Sequence, residues 1–227
     1  MYKRQVDGDT IVVGASQKDD KGAAYVFEKQ GASWVETAKL AVHGLSGDQF
    51  GSVVAIDGDR IAVSAPQENP GTANDAGVVH TWTRVGGNWV YEHAMSASSP
   101  VIDEALGIQL SLDGDRVFAK TYGRVVVFDA GVETGVVVAP GVDPFSLGMA
   151  GEGNLLAVMA NAVPIYGDYV YTFEELPGTG WTSTGTLTGS ASSVQGTYGI
   201  GLAMQGGRLA VGAYTGAGLG TFSGLAE

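Results

Sequence analysis

The sequence predicts an all-β fold, a β-propeller of four-stranded antiparallel blades. A turn of the Asp-Gly-Asp type recurs between two apolar runs, and its successive copies lie 50, 56, 39 and 53 residues apart. Each period has room for four short strands, whereas no segment shows a helical hydrophobic period over twelve positions. Four strands in a period of about fifty residues are typical of propeller blades and argue against a β-sandwich or a β-helix. The central glycines are Gly8, Gly58, Gly114, Gly153 and Gly206.

The second repeat shows the four strands most clearly. The apolar runs "FGSVVAI" and "RIAVSA" flank Asp57-Gly58-Asp59, which predicts a hairpin because Gly58 can adopt the positive φ of a primed turn. A polar loop, Pro66–Gly77, follows. The runs "VVHTWTR" and "NWVYEHAM", separated by a Val-Gly-Gly turn, predict the third and fourth strands.

The other repeats carry the same elements. The runs 23–29, 123–129 and 168–174 predict further third strands, and small residues such as Gly14 and Ala15 end the second strand. A Gly-x-x-Trp turn places Trp34, Trp89 and Trp181 at the start of a fourth strand. We interpret these three tryptophans as packing between blades; an aromatic platform for sugars is the alternative.

The repeats divide residues 6–227 into approximately 6–46, 47–103, 104–144, 145–194 and 195–227. The first repeat is expected to lack its first strand, and the last to stop near its third. We therefore expect an incomplete propeller of four to five blades, partial at both ends. Residues 1–5, "MYKRQ", read as the translated end of a sequencing-library adapter and are interpreted as a scar.

Composition limits the classes of partner. The formal net charge is −12, and a negative surface repels phosphate backbones and anionic lipids, so we expect no nucleic-acid partner. No run of eighteen apolar residues occurs, so we expect no membrane insertion by this segment. The absence of cysteine excludes disulfides, thiol nucleophiles and cysteine metal sites.

Candidate chemistry is sparse. Carboxylates and amides in the loops Ser16–Gly22 and Pro66–Gly77 are possible calcium ligands, but they lack the alternating spacing of a calcium loop, which favours plain solvated loops. No nucleophile elbow, phosphate loop or zinc motif occurs, so we expect no catalytic residue, no cofactor and no enzyme activity in this segment. The candidate calcium ligands are Asp19, Asp20, Asn74 and Asp75.

The stretch "GDQFGSVVAIDGDRIAVSAP" resembles the bacterial form of the FG-GAP repeat. Phe50-Gly51 matches its Phe-Gly step, and Gly14-Ala15 matches its Gly-Ala step. Leu106-Gly107, Leu147-Gly148 and Tyr198-Gly199 take the place of Phe-Gly in later repeats. Related repeats form the seven-bladed heads of integrin α chains, so the resemblance implies that missing blades of the same chain are partners. The calcium function of those relatives is not carried over, because the loops depart from its pattern.

These observations predict a binding or adhesion propeller of an exported or cell-surface bacterial protein. The loops between the second and third strands vary most in length, which is typical of a binding face. We expect them to recognise a protein or a glycan. The alternatives are an accessory carbohydrate-binding or substrate-presenting propeller of a larger enzyme, and a structural spacer.

Overall fold

The computed structural model describes residues 4–42, 46–138, 148–162, 167–187 and 196–215. The chain divides into two compact units. The first comprises residues 1–121 and 126–134, and the second comprises residues 122–125 and 135–227. The described residues form eighteen strands in five antiparallel sheets, which confirms the all-β prediction.

Sheet 1 has four strands in sequential order, with a short 3-10 turn, Lys18–Asp20, between its second and third strands. The strands are β1 (Arg4–Asp7), β2 (Thr10–Ala15), β3 (Ala23–Gln30) and β4 (Ser33–Leu40). The expectation that the first repeat lacks its first strand is therefore wrong. Backbone pairing does not depend on side-chain identity, and Arg4 and Gln5 extend Val6 and Asp7 into a strand that pairs with β2. The interpretation of residues 1–5 as a scar stays a prediction.

Sheets 2 and 3 repeat this meander. Sheet 2 contains β5 (Val54–Asp57), β6 (Arg60–Ala65), β7 (Val78–Val85) and β8 (Asn88–Met95). Sheet 3 contains β9 (Gln109–Asp113), β10 (Arg116–Lys120), β11 (Val125–Asp129) and β12 (Val132–Val137). The first unit contains the first two sheets and most of the third.

The second unit contains the remaining sheets. Sheet 4 has four strands: β13 (Met149–Glu152), β14 (Leu155–Ala162), β15 (Gly167–Leu176) and β16 (Gly180–Leu187). Sheet 5 has two described strands, β17 (Gly196–Gln205) and β18 (Arg208–Thr215). Leu147 and the predicted third strand of the fifth repeat lie outside the described residues.

A β-bulge recurs between the third and fourth strands of sheets 1, 2 and 4. Each bulge falls directly before the aromatic residue of the third strand, at Phe27, Trp82 and Phe173. Because a bulge increases the local twist, it turns the fourth strand relative to the other three at the same place in each sheet.

The core lies between consecutive sheets. Side chains from sheet 1, including Val12, Val26 and Leu40, pack in one buried cluster with Ile61 of sheet 2 and with Phe50, which precedes β5. A second cluster joins the opposite face of sheet 2 to sheet 3, and in the second unit Ala157 and Val170 of sheet 4 pack with Leu202 of sheet 5. Both faces of sheet 2 are covered at β5 and β6, which explains why these strands are apolar without alternation, whereas β8 is partly exposed.

Lys120 is the exception in this core. It is 1% exposed and lies at the second-strand position that Gly14 and Ser64 take in sheets 1 and 2. Its ammonium group donates to the Thr121 carbonyl at 3.3 Å. Burial lowers the pKa of Lys120 from 10.5 to about 8, because the charged form loses hydration.

Replacing this buried amine should stabilise the first unit. We expect Lys120→Met to raise the free energy of unfolding at pH 7 by up to about 3 kcal/mol, the equivalent of the pKa difference. The folded state binds the Lys120 proton less tightly than the unfolded state. The free-energy cost of burying the protonated amine is therefore complete below pH 8 and disappears as the pH rises from 8 to 10.5. Urea melts from pH 6 to 10.5 check this, with exposed Lys29→Met as the control. A gain in unfolding free energy from Lys120→Met that does not shrink at high pH would contradict the desolvation argument.

Candidate functional site

The Phe-Gly step joins neighbouring sheets by close backbone packing. Phe50 is 1% exposed, and its ring meets those of His80 and Trp82 edge-on at 5.6 and 5.8 Å. A Cβ on Gly14 would overlap the Gly51 carbonyl oxygen, and a Cβ on Gly51, whose φ is +88°, would overlap the Ala23 carbonyl oxygen. The two motifs are therefore two halves of one contact, and each requires glycine for space.

The Asp-Gly-Asp turns form a second link between sheets, which the sequence did not reveal. Gly58 N–H donates to Asp7 Oδ2 at 2.6 Å, and Gly114 N–H donates to Asp57 Oδ2 at 2.6 Å. The first aspartate of each turn thus accepts from the turn glycine of the following sheet. We call this repeated contact the turn ladder. Gly8, Gly58 and Gly114 have φ between 52° and 54°, as primed turns require.

The ladder continues in the second unit with a different acid. Glu152 accepts from Gly206 N–H at 2.7 Å and from Gly207 N–H at 3.0 Å. The bond from Gly207, followed by that from Gly206, lowers the pKa of Glu152 below its usual range, because both donors stabilise the carboxylate. The longer glutamate side chain can accept from two donors at once.

Arginines add charged contacts between the sheets. Arg84 of sheet 2 bonds to Thr10 Oγ1 at 2.9 Å and pairs with Glu28 at 3.0 Å, both in sheet 1. Arg60 pairs with Glu92 of its own sheet and with Asp115 of sheet 3. The second aspartate of a turn therefore also contributes to a contact between sheets.

The first pair of candidate calcium ligands lies in the 3-10 turn. Asp19 and Asp20 adopt positive φ values of 53° and 59°, and both side chains are exposed. Asp19 pairs with Lys18 at 2.7 Å, and the hydrogen bond from Lys18 lowers the pKa of Asp19. The Asp20 carbonyl accepts from Gly47 N–H at 3.0 Å, so this oxygen already connects sheet 1 to the approach of sheet 2.

The second pair belongs to the loop Pro66–Gly77. The carbonyl oxygens of Asn74 and Asp75 accept from the N–H groups of Asp103 and Ala105 at 3.0 Å each. Asn69 Oδ1 accepts from Asp75 N–H at 2.7 Å. Across the part of the chain that the structure describes, no three His, Asp or Glu side chains are grouped to hold a metal ion.

A network around the buried His80 anchors the same loop. His80, which is 3% exposed, lies 2.8 Å through Nε2 from Glu68 Oε2 and 3.1 Å through Nδ1 from the Tyr91 hydroxyl. Trp82 packs edge-on against Tyr91 at 5.3 Å. A neutral imidazole satisfies both contacts by donating to Glu68 and accepting from Tyr91. Sequence analysis missed this network, since its members are separated by loop and turn.

The three turn tryptophans differ in burial. Trp89 packs against the core between sheets 1 and 2, and the Arg84 guanidinium lies 4.6 Å from its ring centroid. Trp181 is half-buried, whereas Trp34 is 42% exposed. The interpretation that the turn tryptophans pack between sheets therefore agrees better with the position of Trp89 than with that of Trp34.

The comparisons with known proteins agree with this arrangement. The FG-GAP repeat model matches residues 5–27 and 34–81, and no curated protein matches the chain. Among solved structures, the computationally designed Ika8 protein is 16% identical over 93% of this chain and 57% of its own, with a TM-score of 0.55. A 6-phosphogluconolactonase-like protein from Bacteroides fragilis is 13% identical over 86% and 57%, with a TM-score of 0.53.

The N-terminal domain of Nup159 is 8% identical over 96% of this chain and 54% of its own, with a TM-score of 0.52. The chain thus spans little more than half the length of each of these structures. At such identities the likeness concerns the fold alone, and it confirms the prediction of an incomplete β-propeller. No helix among the described residues is long and apolar enough to cross a membrane.

The Phe-Gly contact predicts a position-specific cost. Gly51→Ala should destabilise the first unit by about 3 kcal/mol or more, because the new methyl group overlaps the Ala23 carbonyl at a positive φ. Gly58→Ala is the matched control, since its φ is also positive but no atom lies within 4 Å of the added carbon. It should cost only about 1–2 kcal/mol. Equal losses of unfolding free energy for the two variants in urea melts would show that the positive φ, and not the contact between sheets, determines the cost.

The turn ladder predicts a difference between two aspartates of one turn. Asp57→Ala should lower the free energy of unfolding by about 1–2 kcal/mol, because Gly114 N–H loses a charged acceptor. Asp59→Ala should cost less than about 0.5 kcal/mol, since its side chain is 72% exposed and its partner Arg84 is 3.4 Å away. Chemical denaturation of both variants measures the difference, and a reversed order would refute the ladder.

Proposed function

The chain carries FG-GAP repeats in a β-propeller fold, and from this premise we propose that it is a non-catalytic binding module of an exported or cell-surface protein. The ligand is a protein or a glycan, and the loops between the second and third strands recognise it. Specificity comes from shape and hydrogen bonding, without covalent chemistry.

The loop Pro66–Gly77 carries this proposal. It separates β6 from β7 by twelve residues, whereas the corresponding loops have seven residues in sheet 1 and four in sheet 3. Its exposed polar side chains are Gln67, Asn69, Thr72 and Asn74. A long polar loop on a rigid sheet is a common location for binding residues.

The loop is held in place at both ends. Gly77 N–H donates to the Glu68 carbonyl at 2.9 Å, and the Asn74 and Asp75 carbonyls bond to the segment that enters sheet 3. His80 fixes the Glu68 side chain from inside the sheet. Because the backbone is already ordered, a ligand would not have to provide the free energy to order it.

Exposed apolar side chains lie beside this loop. Val101 and Ile102 are 54% and 60% exposed, and the next residue, Asp103, bonds to the Asn74 carbonyl. An aliphatic pair next to polar groups suits a mixed apolar and hydrogen-bonding contact. This combination favours a ligand site over a plain spacer.

A binding survey with loop variants tests the proposal. The intact 227-residue chain is applied to a glycan microarray and to a panel of purified extracellular-matrix proteins. We expect at least one probe to bind, and Thr72→Arg/Asn74→Arg to weaken that binding by about tenfold or more, since both side chains are exposed in the loop.

The control variant changes exposed polar residues on the fourth strands, Thr37→Arg/Asn88→Arg, and should bind like the unmodified chain. A glycan as the only probe bound would identify the ligand class of the carbohydrate-binding alternative. Binding that both double variants leave unchanged would exclude this loop as the recognition surface.

A further inference from the structure

The network of Tyr91, His80 and Glu68 joins a phenol to a base and the base to a carboxylate. The Tyr91 hydroxyl lies 3.1 Å from His80 Nδ1, and His80 Nε2 lies 2.8 Å from Glu68 Oε2. With Nε2 protonated, His80 donates to the carboxylate and leaves Nδ1 free to accept from the phenol. A group that can lose a proton, the base that accepts it and a carboxylate that orients the base therefore follow one another.

The base of this network is shielded from water. His80 is 3% exposed, and its ring packs against those of Phe50 and Trp82 at centroid distances of 5.6 and 6.4 Å. An imidazolium ion in this position loses most of its hydration, which costs free energy unless an opposite charge lies beside it. The Glu68 carboxylate supplies that charge. Transfer of a proton from Tyr91 to His80 is therefore assisted by Glu68.

Tyr91 itself can be reached from solvent. It lies on β8, the edge strand of sheet 2, and is 46% exposed. Burial, followed by the negative charge of Glu68, raises the pKa of Tyr91, so the phenol keeps its proton at neutral pH. Loss of an electron makes a phenol a much stronger acid. A neutral phenol that is bonded to a base is therefore suited to lose an electron and a proton together.

The other tyrosines that the structure describes lack this combination. Tyr122 is 43% exposed, almost as much as Tyr91, but neither described histidine bonds to its hydroxyl. The Lys39 ammonium lies 5.8 Å from the ring centroid of Tyr25, and a positive charge there opposes the removal of an electron. Among the described tyrosines, Tyr91 therefore combines exposure with an attached base.

We propose that Tyr91 is a site of oxidative phenol coupling. A one-electron oxidant, such as the oxidised haem of a peroxidase, takes an electron from the Tyr91 ring while the phenolic proton passes to His80 Nδ1. A second tyrosine phenol, on a neighbouring protein, loses an electron to the oxidant and its proton to water. The two radicals join through a carbon–carbon bond between ring positions beside the oxygens.

Both rings then become phenols again. The hydrogens on the two joined carbons leave to water as protons, His80 returns its proton to the Tyr91 oxygen, and the second oxygen takes a proton from water. The oxidant gains two electrons in total, one from each phenol, and two protons are released. The product is a covalent link between the edge of sheet 2 and the second tyrosine.

Photogenerated tris(bipyridine)ruthenium(III), with biotin-tyramide as the second phenol, tests the proposal on the intact 227-residue chain. Peptide mapping by mass spectrometry measures the labelling rate of each tyrosine. We expect Tyr91 to be labelled about tenfold faster than Tyr122 or more, since the two exposures match and only Tyr91 has an attached base. Tyr91→Phe should remove this label and leave that of Tyr122 unchanged. Tyr25→Phe is the matched control and should leave the labelling of Tyr91 unchanged.

Variants of the network test the role of the base. His80→Gln should lower the labelling rate of Tyr91 by about tenfold or more, because an amide does not take up the proton. Glu68→Gln preserves a hydrogen-bond partner for His80 but removes the negative charge, and should lower the rate by about threefold or more. In D₂O the labelling of Tyr91 should slow more than that of Tyr122, since a proton moves together with the electron. A merely structural role of His80 would not produce this isotope effect.

Several outcomes would overturn the proposal. One is labelling of Tyr122 at the same rate as Tyr91 or faster. Others are a Glu68→Gln variant that reacts like the unmodified chain, and equal slowing of both tyrosines in D₂O. Circular dichroism of each variant separates these results from loss of folding. If His80→Gln does not fold, Glu68→Gln decides the question, because the Glu68 side chain is 25% exposed. None of these results depends on whether the loop Pro66–Gly77 binds a ligand.

Discussion

The close backbone approach at Gly14 and Gly51 is the contact on which the first unit depends. A Cβ on Gly14 would overlap the Gly51 carbonyl oxygen, in the segment that enters sheet 2, and a Cβ on Gly51 would overlap the Ala23 carbonyl oxygen of sheet 1. This sets the distance between sheets 1 and 2 and places Phe50 against His80 and Trp82. Once the spacing is set, alternate side chains of β5 and β6 meet the preceding or the following sheet, and both faces become core.

The turn ladder limits how one sheet can slide or rotate on its neighbour. Apolar packing is non-directional, so it permits one sheet to slide or rotate on another. A carboxylate that accepts from one particular N–H of the next turn is directional, and it recurs at Gly58, Gly114 and Gly206. Packing thus supplies most of the stability, whereas the ladder determines the register between neighbouring sheets.

Sequence reasoning found the elements that depend on local chemistry. Glycine at positive φ, short apolar runs and the Gly-x-x-Trp turn indicated the hairpins and third strands, because these signals lie within a few residues. The partner of Asp57 could not be found in this way, since Gly114 is 57 residues distant. Sequence analysis also missed the network of Glu68, His80 and Tyr91, because this network forms only when a loop folds back onto its own sheet.

In the proposed binding module, the loops between second and third strands combine a structural role with recognition. In Pro66–Gly77 the carbonyls of Asn74, Asp75 and Ala76 bond to the segment that enters sheet 3. We assign the proposed recognition to the side chains, which can vary between copies while these carbonyl contacts persist. The loops of sheets 1 and 2 differ in length, seven residues against twelve, but Asp20 and Asp75 both use their carbonyls to bond to the segment that enters the next sheet. Loops that vary on a repeated backbone contact suit the proposed binding module, because side chains that determine specificity can change without loss of the fold.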